Sequence, residues 1–223
     1  MTPSTPPAAT ASYLFNADMA PYRPLFLRHC PPPMLMPRGN RVCKKGVTKG
    51  WMYFLCQGLL KVYSSNSFGY DRVIAFLKDD NLFGLDCLDP GQTSIVTIEC
   101  VTDSWVMPFQ SGMLAAIMEE DPGFTRHLVA YYAKVMRQLC FDTENQSIHD
   151  ARVRLVNFLY LYQQSSRSGR VDMSQQDLAA AVNCSRSSVC RICNQLKEEG
   201  IIQVQGRGLT ILDRDRLLAC CCL

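Results

Sequence analysis

The stretch from Met173 to Leu212 constrains this chain more tightly than any other. In "MSQQDLAAAV", Ser174 is followed three residues later by Asp177, a capping-box start, and Leu178, Ala181 and Val182 give a short helix one apolar face. In "NCSRSSVCRICNQLKEEGII", Ser185 suits an N-cap, and Val189, Ile192, Cys193 and Leu196 recur at helical spacing. The opposite face carries Arg186, Ser187, Arg191, Asn194 and Gln195. Beyond Gly200, "IIQVQGRGLTIL" reads as two short strands about the turn Gly206-Arg207-Gly208. Two short helices, a tight turn and a hairpin must share one small core. That is the winged helix-turn-helix arrangement, whose second helix suits the major groove of DNA.

The rest of the chain must supply something for that module to answer to. Residues 1–25, rich in Pro and Ala, read as a flexible arm, and "CPPPMLMPRGN" as a linker, because neither can sustain a helix or an interior strand. Between Arg41 and Phe109, short apolar runs such as "WMYFLC", "LLKVY", "RVIAFL" and "SIVTIECV" alternate with turn material. They predict a small antiparallel barrel or sandwich. After Pro122, Phe124, Leu128, Tyr131, Val135 and Leu139 form one stripe on a long helix. That stripe could line its own domain or pair with a second copy.

Charge is a weak guide, since the net value is only +3, but the excess lies in residues 150–223, with ten Lys and Arg against seven Asp and Glu. That permits an anionic partner. No apolar run reaches membrane-spanning length and no secretory leader is evident, so a cytoplasmic protein without a membrane partner is expected. Twelve cysteines then read mainly as small buried hydrophobes rather than a disulfide framework. Cys184, Cys190 and Cys193 lack a fourth local ligand for a closed zinc shell. A thiol oxidoreductase would need its Cys-x-x-Cys pair at a helix N-terminus, and here the pair is mid-helix. The run Cys220-Cys221-Cys222 has no role in this reading beyond metal or thiol chemistry.

The segment "MSQQDLAAAVNCSRSSVCRICNQLKEEGII" resembles the helix-turn-helix of the Crp–Fnr superfamily, which includes the catabolite activator and the fumarate-nitrate regulator, and most of the chain follows that family's order. The resemblance implies an α+β fold. Residues 26–120 would form an antiparallel β-barrel sensor of the cyclic-nucleotide-binding jelly-roll type, 121–149 a dimerisation helix and hinge, and 150–223 the winged helix-turn-helix. It implies base reading by Arg186, Ser187 and Arg191, phosphate contacts from Ser174, Gln176, Ser185 and Ser188, and a wing contact from Arg207. Arginine can bond guanine O6 and N7 bidentately, whereas hydroxyls and amides suit phosphate oxygens. Ser187 departs from the glutamate that many members carry there and cannot impose the same choice of base. The dimer seam would use Leu128, Tyr131, Val135 and Leu139.

The sensor half departs further. Cyclic-AMP-binding members have a Gly-Glu pair and then an Arg-Ser pair where this chain has Leu85 after the glycine and Ser94-Ile95; their Thr-Ser on the long helix corresponds to Leu139-Cys140. Without the arginine, a buried phosphate would be uncompensated. Iron–sulfur members cluster cysteines near the N-terminus, whereas Cys30, Cys43, Cys56, Cys87 and Cys100 are dispersed; haem would have only His29, His127 and His149. The expectation is therefore no cofactor but a small organic effector, with Trp51, Tyr53, Tyr63, Tyr70 and Trp105 as pocket candidates and Lys134 as a counter-charge. The chain reads as a homodimeric, non-enzymatic transcription regulator that binds double-stranded DNA and meets RNA polymerase if it activates. A redox, metal or iron–sulfur sensor using the cysteines is the alternative.

Overall fold

The computed structural model describes residues 11–223 except positions 49, 68, 90, 167–168 and 207. In chain order the elements are β1 (Leu14–Phe15), α1 (Arg23–His29), β2 (Met34–Met36), β3 (Arg41–Cys43), β4 (Met52–Gln57), β5 (Leu59–Ser65), β6 (Asp71–Lys78), β7 (Asn81–Phe83), β8 (Thr97–Cys100), β9 (Ser104–Phe109), α2 (Ser111–Glu120) and α3 (Pro122–Ile148). They continue with α4 (Ala151–Ser166), β10 (Arg170–Val171), α5 (Gln175–Ala181), α6 (Arg186–Glu198), β11 (Ile202–Gln205), β12 (Gly208–Ile211) and α7 (Arg214–Ala219). Two compact units result, a sheet unit of Phe15–Ala133 and a helical unit that combines residues 11–14 with Lys134–Leu223.

The sheet unit corrects the barrel expectation. Its strands form two separate open sheets, β1-β6-β5-β8-β3 and β2-β9-β4-β7. A barrel requires every strand to be hydrogen-bonded on both sides. Here β1, β3, β2 and β7 are edges, and each is only two or three residues long. Short strands between turns satisfy either architecture, and the sequence pattern does not say whether a ladder closes the sheets. Gly58, at φ 129°, turns β4 into β5; a Cβ there would stand 2.3 Å from Ser104 Oγ, so only glycine fits.

The core of this unit is aromatic. Phe26 of α1 packs on Phe54 at 4.7 Å, Phe109 at 5.3 Å and Phe124 at 5.6 Å between ring centroids, all four fully buried. Residues expected to be loose are built in. Phe15 and Met19 are buried, Pro24 sits in the first turn of α1 where its missing N–H costs nothing, and Met34–Met36 pairs with β9 instead of serving as a linker.

In the helical unit, α4 buries Leu155, Val156, Phe158 and Leu159, and the Tyr13 ring packs at a tilt against Phe158, 4.8 Å between centroids. Leu178 and Ala181 of α5, Val189, Ile192, Cys193 and Leu196 of α6, Ile202, Leu209 and Leu217 complete one core. A third strand, β10, pairs with β12 and extends the hairpin β11–β12.

Candidate nucleic-acid interface

Serine caps start both short helices. Ser174 Oγ accepts from Asp177 N at 3.1 Å and donates to its carboxylate at 2.6 Å; Ser185 Oγ accepts from Ser188 N at 3.1 Å and lies 2.8 Å from the Ser187 and Ser188 hydroxyls. With Val189, Ile192, Cys193 and Leu196 buried, helical geometry turns Arg186, Ser187, Arg191 and Asn194 to solvent. Gln176 is exposed and Ser174 half-buried at the start of α5. Arg207 lies outside the described residues.

The turn between these helices is held by a residue that the sequence reading passed over. Arg154 of α4 donates from Nε to Val182 O at 2.8 Å, from Nη1 to His149 O at 2.9 Å and from Nη2 to Asn183 O at 3.1 Å. Asn183 takes the left-handed conformation, φ 51°, which asparagine tolerates better than most residues. One planar fork thus fixes the turn that aims α6. Charge at position 154 was the available signal, but its two partners in the turn are 28 and 29 residues away.

The cysteines of this module are structural in setting. Burial pushes the Cys193 thiol up to about 11 and raises Cys184 as well, so both favour the protonated form. Among the described residues, no three His, Cys, Asp or Glu side chains are grouped to hold a metal ion.

The helix α3 divides the expected seam. Leu128 and Tyr131 are buried within the sheet unit, where Tyr131 OH donates to Leu82 O at 3.4 Å and its ring meets Phe15. Val135 is half-buried, and only Leu139 is open. The face that α3 leaves exposed carries Val129 (66 %), Tyr132 (45 %), Met136 (62 %) and Leu139 (41 %), at spacings of 3, 4 and 3. The helix has two apolar stripes, and periodicity alone selected the one that packs inward.

The expected effector residues occupy different settings. Tyr53 is buried in a stack with Phe83 at 5.1 Å; Trp51, Tyr70 and Trp105 are exposed; Lys134 belongs to the helical unit. Tyr63 donates to Glu99 at 2.9 Å and lines an open pocket of about 290 Å³ with Arg41, Lys44, Lys45, Ser65 and Thr97. Asp86 is a group the sequence reading missed. Its Oδ2 accepts from the buried Ser94 hydroxyl at 2.9 Å and from Ile95 N at 2.8 Å.

Residues 153–220 match the family model of the Crp-like helix-turn-helix domain, and residues 34–121 that of the cyclic nucleotide-binding domain. The chain belongs to the Crp–Fnr superfamily. A similar Crp–Fnr relative is the cyclic AMP receptor protein of Thermus thermophilus, 25 % identical over 171 residues, covering 76 % of this chain and 79 % of that one. The fold is also that of FixK2 from Bradyrhizobium japonicum, with a TM-score of 0.75 at 21 % identity, covering 86 % of this chain and 97 % of that one. The c-di-GMP-responsive regulator CLP of Xanthomonas campestris gives a TM-score of 0.76 at 17 % identity, covering 87 % and 99 %. The protein is an effector-responsive, DNA-binding transcription regulator of the Crp–Fnr type, not an enzyme. Among the described residues no helix is long and apolar enough to cross a membrane.

Proposed function

We propose that this Crp–Fnr regulator works in the cytoplasm as a homodimer on inverted-repeat DNA. Arg186 and Arg191 read guanines, Ser187 reads weakly, and Ser174, Gln176, Ser185 and Ser188 hold phosphates, with Arg207 on the wing. The observation that carries this reading is the capped α6, whose exposed face groups Arg186, Ser187, Arg191 and Asn194 over a fully apolar inner face. The open stripe Val129, Tyr132, Met136 and Leu139 of α3 supports a dimer seam that keeps Leu139 of the residues first expected and replaces the other three.

The effector is a small organic anion, not a cyclic nucleotide. Asp86 supports this, since its carboxylate already takes the donors of Ser94 and Ile95 and would repel a phosphate. In the pocket beside Tyr63, Glu99 pairs with Arg41 at 3.2 Å, and Lys44 and Lys45 are the cations that support an acidic ligand. As an activator it would contact RNA polymerase. Selection of random duplexes by the purified protein tests the reading. An inverted repeat with half-site centres roughly 34 Å apart is the expected product, and a pool with no palindrome overturns it.

A further inference from the structure

The run Cys220-Cys221-Cys222 has no part in DNA reading, yet it is tied into the helical unit by buried polar groups. Asn157 of α4, fully buried, grips the backbone of Cys222 from both sides: its Oδ1 accepts from Cys222 N at 3.0 Å and its Nδ2 donates to Cys222 O at 3.1 Å. The same Nδ2 donates to Asn145 Oδ1 at 2.9 Å, Asn145 reaches Tyr13 OH at 3.3 Å, and Tyr13 donates to Asp142 at 2.7 Å. Asn145 and Tyr13 are also buried. A polar chain therefore runs from residue 222 through α4 to the last turns of α3. Buried networks of this kind are costly when one member is removed.

The three thiols differ in setting. Cys221 donates to Leu217 O at 3.4 Å, and burial pushes it up to about 12, which keeps it an unreactive thiol at neutral pH. Cys220 is half-buried beside the Arg152 guanidinium. Arg152 also donates from Nη2 to both carboxylate oxygens of Glu199, at 2.8 Å each, at the C-terminal end of α6. Cys222 is exposed. The trio thus offers one thiol beside a cation, one accessible thiol, and an inert one between them.

We propose that Cys220 and Cys222 form a reversible disulfide switch, closed by peroxide, whose closure releases the Asn157 clamp. The Cys220 thiolate attacks hydrogen peroxide, giving a sulfenic acid and hydroxide; the Cys222 thiol then displaces that oxygen as water, forming the S–S bond. The two thiols lose two electrons and peroxide gains them. Residues two apart lie near the ~4.4–6.8 Å Cα span that a disulfide tolerates. The exposed Cys222 side chain must turn toward Cys220 and Arg152, moving the backbone atoms that Asn157 holds. Asn157 is then left buried without two partners, inside the helix that also carries Arg154. The consequence for DNA rests on the function proposed above; the bond itself does not.

Purified full-length protein is treated with one equivalent of hydrogen peroxide, then split for mass analysis and for binding to the selected duplex. The expected result is that the tryptic peptide beginning at Leu217 loses the mass of two hydrogens and duplex affinity falls about tenfold, as an unpaired buried amide implies, both reversed by dithiothreitol. Cys221→Ser keeps both changes, whereas Cys220→Ser and Cys222→Ser abolish both. A peptide that stays reduced, or one that still loses the two hydrogens in either end variant, overturns the switch. A closed bond with unaltered affinity overturns its coupling to DNA. The mass readout needs no DNA, so a protein that failed to select any duplex would still report on the bond.

Discussion

Arg154→Met removes three hydrogen bonds while keeping a side chain of similar length, and the structure sets the size of the effect. The bonds to Val182 O and His149 O are half-buried, and the third, to Asn183 O, is exposed and adds little. At roughly 1.5 kcal/mol for each half-buried bond from a charged donor, the helical unit should lose about 3 kcal/mol. A lysine is a point charge that can serve one carbonyl, so Arg154→Lys should recover about half of that. Hydrogen exchange of the amides in α5 and α6 reads this locally, as a fall in opening free energy that leaves the sheet unit unchanged. Because Arg154 holds the turn and touches no base, affinity should fall for all duplexes alike. A change within about 0.5 kcal/mol, the range of an ordinary surface substitution, would refute the clamp, as would a loss confined to one base pair.

Three further outcomes follow from the packing. Met136→Lys places a charge on the open stripe of α3 and should yield folded monomers in sedimentation, whereas Leu128→Lys buries its charge within the sheet unit and should unfold it; a dimeric Met136→Lys protein would remove the stripe from the interface. Calorimetry with cyclic AMP or cyclic GMP should show no binding in the micromolar range, and saturable heat from either would contradict the reading of Asp86. Burial raises the folded-state pKa of Cys193, so the unreactive thiol form persists through pH 8 and gives way only as pH nears about 11. Alkylation of the native protein should therefore spare Cys193 at pH 8 and reach it only on unfolding, and rapid native labelling would contradict its place in the core.

What could be read in advance was local. The N-caps Ser174 and Ser185 and the inner face Val189, Ile192, Cys193 and Leu196 depend only on neighbours within a turn or two, and each stands as the spacing predicts. What escaped depended on distant partners. Whether short strands close into a barrel is decided by pairings such as β3 with β8, some 55 residues apart along the chain. The two apolar stripes of α3 have the same period, and period alone does not distinguish Tyr131, packed on Phe15, from Met136, left open. Tyr13 and Phe15 lie next to a proline-rich opening whose composition argued for a loose arm, yet their rings carry enough apolar area to bury the chain around them. Asn157 and Asp86 look like ordinary polar residues until their partners at Cys222 and Ser94 are seen.

The most direct test of the account is the base preference of three variants on duplexes drawn from random sequence. Arg186→Ala and Arg191→Ala should each cost about 1–3 kcal/mol and relax the preference at one base pair per half-site, because each removes one bidentate guanine contact. Gln176→Ala should weaken binding to every sequence by a similar factor, since a phosphate contact carries no base information. Arginine variants whose preferences match those of the parent protein at every position would contradict the assignment of α6 as the element that reads DNA.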